Sequence, residues 1–427
     1  MWLLKASVVD LSRFDGMIEV LEGIAGHRRR GTGYPSDVLY YDLVAAYYRR
    51  VRQAHEEGKP VVAHSIMLPT ELFIAMDVVP LHLECLATTL PPSLKNYEEL
   101  FAAARGFGLP SEVCSTHRVM AALFAQGWMP RPDALVYSHQ ACDSSVKSGG
   151  LLKELYGLPS HFVERPYRLT ENQAEYYVQE LREMVSFLER ITYRRLDYDR
   201  LAEVMEESQR QVELHREIYR LRSLVPTPMP NRRGCQMVNV YWLASGSPEA
   251  VAYFHAVHNE VRELADTGKG VIPEERFRIM TLFNPPTHNW KLLDWLQQDQ
   301  GASIVANPYY HHWGEWRYDP IDPLRSLAIK YFATPVMRQM HGPLDEAVAD
   351  SVADAVSHRA QGAIYWANIG CPQTCAIIRT VRDALRDRVG IPTLVLDCDY
   401  LDPSVVSEDD LKDKLEAFLD SLGDARR

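Results

Sequence analysis

No window of the chain approaches eighteen consecutive apolar residues, so a membrane-spanning helix is not expected. Basic residues are the minority, 46 against 57 acidic, and the formal charge of −11 includes no long run of either sign, which argues against a nucleic-acid surface. Neither G-x-G-x-x-G nor G-x-x-x-x-G-K-[ST] occurs, and nucleotide binding through either standard glycine loop is set aside. There is no C-x2-C pair, alone or followed by H-x3-H, and hence no locally spaced zinc module. Cysteines are few and odd in number, seven, and the opening MWLLKASVVDLSRFDG has too short an apolar stretch and no cleavage site for a secretory leader. A disulfide framework is therefore not expected, and a cytoplasmic location is.

What is present is the composition of an ordinary globular protein, 46% hydrophobic and 24% charged, in a chain of 427 residues that is long for one core. Short apolar runs suited to buried strands, PVVAHSIM, ALVYSHQ, SHFVERP, FRIMTLF, ASIVAN, GAIYWAN and PTLVLDC, alternate with helix-like segments such as SSVKSGGLLKELYG and NWKLLDWLQQ. LPTELFIAMDVV reads as one helix opened by Pro69, and Cys85 as part of a turn after VVPLHLE. This alternation predicts an α/β fold of parallel βαβ units. The expected division is an N-terminal helical region over 1–58, a first α/β lobe over 59–170, a helical connector over 171–270 and a second α/β lobe over 271–427.

In open parallel sheets ligands sit outside the carboxyl ends of the strands. Cys142 follows ALVYSHQA, Cys371 follows GAIYWANIG, and Cys114 opens the helix-like CSTHRVMAALFAQG. Cys85, Cys235 and Cys398 read as buried small hydrophobes. Cys371-x3-Cys375 begins like a radical-enzyme motif, but its third position is Ile378. His255-x2-His258 and His311-His312 lack carboxylates at ligand spacing and read as hydrogen-bonded or solvated. Two alternatives stay open for Cys114, Cys142 and Cys371: packed thiols, or ligands of one metal centre assembled from distant loops. Three thiolates are enough to hold a [4Fe-4S] cluster by three corners and leave one iron open.

The stretches GKPVVAHSIMLPTELFIAMDVVPLHLE, EVCSTHRV, ALVYSHQACDSSVK, IYWANIGC and IPTLVLDCDYLDPSVVSEDDLKDKLEAFLD, in this order and spacing, resemble the 2-hydroxyacyl-CoA dehydratase and benzoyl-CoA reductase family from about residue 55 to 421. The resemblance implies two flavodoxin-like or Rossmann-like lobes with a [4Fe-4S] cluster held by Cys114, Cys142 and Cys371. It also implies low-potential electron transfer to an acyl-CoA or aroyl-CoA thioester through a ketyl radical anion, with loss of water or reduction of an aromatic ring. The implied partners are a homologous second subunit and an ATP-dependent iron-sulfur activator, in an anaerobic cytoplasm.

Within that resemblance Glu84 is a proton-handling residue, seven positions after Asp77 but without the usual flanking pattern. Ser65, one position from the family's serine, is a second candidate catalytic residue, and His117 and Asn368 are substrate or supporting contacts. Trp366 stands where many dehydratase subunits have histidine. The basic run His27-Arg28-Arg29-Arg30 reads as a solvated charge run. Two alternatives accompany the dehydratase reading: a subunit of a benzoyl-CoA reductase, and a homodimer whose double-cubane iron-sulfur cluster reduces small molecules.

Overall fold

The computed structural model describes residues 9–31 and 33–424; Met1–Val8, the start of the segment read for a leader, lies outside them. The chain divides into two compact units. The first comprises Met1–Val212, Asn239–Ala256 and Glu315–Ala333, and the second Glu213–Val238, Val257–Gly314 and Thr334–Arg427.

In the first unit α1 (Ser12–Arg30) buries Phe14, Met17, Ile18, Leu21 and Ala25, a stripe at helical spacing, and packs on α2 (Pro35–Gln53). The basic run His27–Arg30 is the last turn of α1, where cations complement the helix dipole, and Arg29 meets Asp42 of α2 at 2.6 Å. Next come β1 (Val61–His64), α3 (Thr70–Ala75), β2 (Val79–His82), α4 (Leu83–Leu94), α5 (Tyr97–Gly106), α6 (Ser115–Gln126), β3 (Ala134–Ser138), α7 (Asp143–Tyr156), β4 (Ser160–Val163) and α8 (Glu171–Thr192). The four strands form one parallel sheet in the order β2-β1-β3-β4, with Val62 beside Ala134 and Val136 beside His161. β1 is buried at every position, as a central parallel strand covered on both faces must be.

The expected single helix over LPTELFIAMDVV is corrected. α3 stops at Ala75, Asp77 takes a left-handed φ of 52°, and Val79–His82 is a strand. Aspartate tolerates that conformation, and β2 pairs only with β1, so Pro80 sits in an edge strand where a missing N–H is tolerated. Cys85 is likewise not in a turn but in the first turn of α4.

Three helices, α9 (Tyr198–Arg222), α10 (Arg233–Ala244) and α11 (Pro248–Asp266), contribute residues to both units. The second unit holds β5 (Phe277–Leu282), α12 (Lys291–Gln298), β6 (Ala302–Ala306) and α13 (Pro308–His311). After α14 (Pro323–Ala333), which belongs to the first unit and packs on α8, come α15 (Pro335–Met340), α16 (Leu344–Ser357), β7 (Gly362–Asn368), α17 (Pro372–Ala376), α18 (Ile378–Val389), β8 (Thr393–Cys398) and α19 (Glu408–Asp424). Its sheet is parallel in the order β6-β5-β7-β8.

Strand for strand this repeats the first sheet: second, first, third, fourth. Each sheet reverses its winding between its first and third strands, the crevice where doubly wound proteins bind ligands. Each unit is built around one four-stranded parallel sheet, the α/β architecture that the alternating pattern predicts. Among the described residues no helix is long and apolar enough to cross a membrane.

Candidate functional site

The three singled-out cysteines share one local role. Cys114, Cys142 and Cys371 are the N-cap residues of α6, α7 and α17. Cys142 follows β3 and Cys371 follows β7, so both sit beyond the third strand of their sheets, at the reversal of winding.

Cys142 is surrounded by donors. The backbone N–H groups of Ser144 and Ser145 reach its sulfur, yet burial dominates and pushes the thiol up to about 11. His117, one turn into α6 from Cys114, places Nε2 3.4 Å from that sulfur and Nδ1 2.8 Å from Ser148 Oγ. Ser148 donates to the carbonyl of Ser145 at 3.3 Å, so its oxygen accepts from Nδ1–H, and Nε2 is left to accept from the Cys142 S–H. The starts of α6 and α7 are thereby joined through one imidazole.

Glu84, in the first turn of α4, is buried beside them. Its Oε1 accepts from Ser145 Oγ at 3.2 Å, the N–H of Ile66 also reaches the carboxyl, and Oε2 lies 3.5 Å from Nδ1 of His82. Burial raises the carboxyl above its ordinary range, which favours the acid form. The neighbouring imidazoles are neutral: burial takes His64 down to about 4, and burial together with His64 holds His82 well below its usual value. Their rings meet edge-on at 4.8 Å, and His82 Nδ1 accepts from the N–H of Cys85. Ser65 Oγ accepts from the N–H of Ser138 at 3.1 Å and ties the loop after β1 to the end of β3.

In the second unit Cys371 Sγ lies 3.9 Å from Gln373 Oε1, and the Gln373 amide is 3.3 Å from Nε2 of His341. Asn368, the last residue of β7, donates through Nδ2 to the carbonyl of Asn284 beyond β5 at 3.1 Å. It bridges the first and third strands of its sheet as Ser65 does in the other. Cys375 is exposed and donates to the Asn368 carbonyl at 3.4 Å. Cys85, Cys235 and Cys398 are buried, as hydrophobe-like thiols are expected to be. Among the described residues no group of three His, Cys, Asp or Glu side chains could hold a metal ion: Cys114 and Cys142 belong to the first unit and Cys371 to the second.

The model of the family described as "2-hydroxyglutaryl-CoA dehydratase, D-component" matches residues 65–422. The chain belongs to that family. A benzoyl-CoA reductase subunit from Thauera aromatica is 24% identical, over 92% of this chain and 95% of its own length. The (R)-2-hydroxyisocaproyl-CoA dehydratase alpha subunit of Clostridioides difficile is 23% identical, over 91% and 97%. The (R)-phenyllactyl-CoA dehydratase alpha subunit of Clostridium sporogenes is 23% identical, over 83% and 88%. The protein is thus an enzyme subunit of the dehydratase and benzoyl-CoA reductase type.

As a member of the 2-hydroxyglutaryl-CoA dehydratase D-component family, this chain departs from expectation at Trp366, whose indole is fully buried in the core with Ile364, Leu396 and Phe418 and acts as packing. Sequence reasoning missed His64, His82, Ser145, Ser148, Gln373 and His341. A signal for Ser145 was available, because a polar residue stands three positions after each N-cap cysteine, as His117 does after Cys114 and Thr374 after Cys371. It also missed a charge cluster in the first unit, where buried Lys330 of α14 donates to Glu71 of α3, to Ser208 Oγ at 2.6 Å and to Ser245 Oγ at 2.8 Å. Burial opposes the Glu71 charge, but Lys330 holds its carboxyl below the ordinary range. His312, as expected, has a hydrogen-bonded role: Nδ1 lies 2.7 Å from Asp354 and Nε2 3.2 Å from Asp350, both on α16.

Proposed function

We propose that this chain is the iron-sulfur subunit of a 2-hydroxyacyl-CoA dehydratase, with Cys114, Cys142 and Cys371 as the thiolate ligands of a [4Fe-4S] cluster. The first lobe, 59–170, would supply two thiols and the second, 271–427, the third. The observation that carries this reading is the matched placement of Cys142 and Cys371, each an N-cap beyond the third strand of a sheet of the same order, in a chain of this family.

The donor set fits such a group in kind. Sulfur is the ligand iron-sulfur clusters use, and the N–H groups of Ser144 and Ser145 that reach Cys142 stabilise a thiolate, as hydrogen bonds to cluster sulfurs do. A thiol that burial keeps protonated becomes a thiolate when a metal takes the place of the proton. When bound, such a cluster would supply a low-potential electron for a CoA thioester.

The remaining roles fall to the chain itself. Glu84, whose burial favours the acid form, stands beside the start of α7, suited to protonating a departing 2-hydroxyl group. His117 positions Cys142, and Ser65 and Asn368 fix the strand ends around the crevices. The buried setting of Glu84 and His117 excludes water, which would quench a radical substrate. The relatives are named as subunits, which supports a homologous second subunit; an ATP-dependent activator and a cytoplasmic setting complete the proposal.

Iron and acid-labile sulfide per chain, with an EPR spectrum, on protein purified without oxygen test the reading. About four irons, lost in Cys142→Ala and Cys371→Ala, are expected for one cluster. About eight would instead support the double-cubane homodimer. No iron after anaerobic reconstitution would sink the redox function, and turnover of aromatic rather than 2-hydroxyacyl CoA esters would move the chain to the reductase branch.

A further inference from the structure

Arg222, the last residue of α9, is a buried cation in the second unit without a counter-charge. Its Nε donates to the carbonyl of Ile304 in β6 at 2.8 Å, while Nη1 is buried and has no hydrogen-bond partner. Among the described residues no carboxylate forms an ion pair with it. The groups that act on it are Tyr219 and Cys235, and burial keeps both neutral, raising the first well above its ordinary value and the second to about 11. Burial lowers the guanidinium itself only to about 10, so the charge persists at neutral pH.

A second orphan faces the same spot. His311, in α13, has Nδ1 2.8 Å from Nε2 of His215, while its own Nε2 is buried and unpartnered. Burial keeps both imidazoles neutral. If His215 donates to His311 Nδ1, His311 Nε2 carries the proton and is a donor. The two orphans converge: a β-carbon added at Gly234 would lie 2.8 Å from His311 Nε2 and 3.2 Å from Arg222 Nη1. Glycine at the start of α10 keeps that space open. The small cavity there is lined by Arg222, His311, Gly234, Cys235, Asn307 and Tyr310 among others, and it has room for little more than one water-sized sphere.

In that tautomer a ligand here meets donors from two directions and a full positive charge. Water would have to turn its own protons away from both donors, whereas a small anion accepts from both and compensates the buried charge. We propose that the second unit binds one chloride-sized monovalent anion between Arg222 Nη1 and His311 Nε2, in the space left by Gly234. It would hold the end of α9, β6 and the start of α10 to one another.

The full-length chain, dialysed into gluconate, is titrated with chloride or bromide at constant ionic strength while its thermal midpoint is followed. The wild type is expected to rise in midpoint and saturate, and Gly234→Ala, which fills the space, and Arg222→Met to lose the response. An indifferent wild type, or an equal response in Gly234→Ala, overturns the proposal. Where Arg222→Met does not fold, crystals of the wild type soaked in bromide decide: an anomalous peak within hydrogen-bond reach of Arg222 and His311 supports the site, and its absence overturns it.

Discussion

Burial raises the Glu84 carboxyl against the opposing pull of His117, the N–H of Ile66 and the hydroxyl of Ser145, a shift toward the acid form. Glu84→Gln preserves acceptor and shape but removes the transferable proton. Iron content is expected to stay unchanged while turnover of the CoA ester falls about 10²–10⁴-fold, the usual weight of a positioned acid; undiminished turnover would remove Glu84 from proton handling. His312 makes a different, structural prediction. Burial opposes its charge, but Asp350 and Asp354 lift its pKa from 6.5 to about 9. A group raised in the folded state contributes stability fully below pH 6.5, and that contribution is lost as pH rises through about 9. Urea unfolding at several pH values should show this decline in the wild type and a flatter profile in His312→Gln. Little of this was legible in the sequence. His64, His82 and His312 carry no periodic signal, and a carboxylate pair some forty residues downstream becomes visible only when α16 is folded beside α13.

Elements were more legible than residues. Buried parallel strands are short and β-branched, so VVAH, ALVYS, ASIVA and GAIYWAN announced themselves, each bounded by turn residues. β2 did not, because Pro80 and two polar positions, Asp77 and His82, obscure a four-residue strand that the adjacent helical pattern absorbs. Cys142 and Cys371 were legible by position after a strand and Cys114 by the helix it opens, but their grouping rested on resemblance, since residues spread from position 114 to 371 have no local spacing to read. The helix that carries Cys142 also has a packing requirement. A β-carbon at Gly149 of α7 would come 2.4 Å from the Tyr137 ring of β3, so glycine permits the close approach of helix to sheet. Gly149→Ala is expected to cost about 1–3 kcal/mol by overpacking, read as a lower urea midpoint, and to reduce iron retention by shifting α7. Unchanged midpoint and iron would show that Tyr137 swings aside freely.

The whole chain is not two consecutive halves. The first unit takes Glu315–Ala333 from far along the sequence, and Lys330 from that segment meets Glu71 with every hydrogen bond of the ammonium satisfied. Lys330→Met strands a buried carboxylate and is expected to cost about 3–5 kcal/mol, whereas Glu71→Leu with Lys330→Met should recover most of that loss. Equal stability of the single variant and wild type in denaturant would refute a buried pair. The same feature has a temporal side. Glu71 and Lys330 stand 259 positions apart. At ~5–20 residues per second of translation, the ribosome releases Glu71 on the order of tens of seconds before its cation exists. β1 to β4 are therefore synthesised long before the helix that completes their unit. The nascent chain must pass that interval with an unmatched acid and uncovered apolar surface, the kind of exposure that makes partly folded chains prone to aggregate.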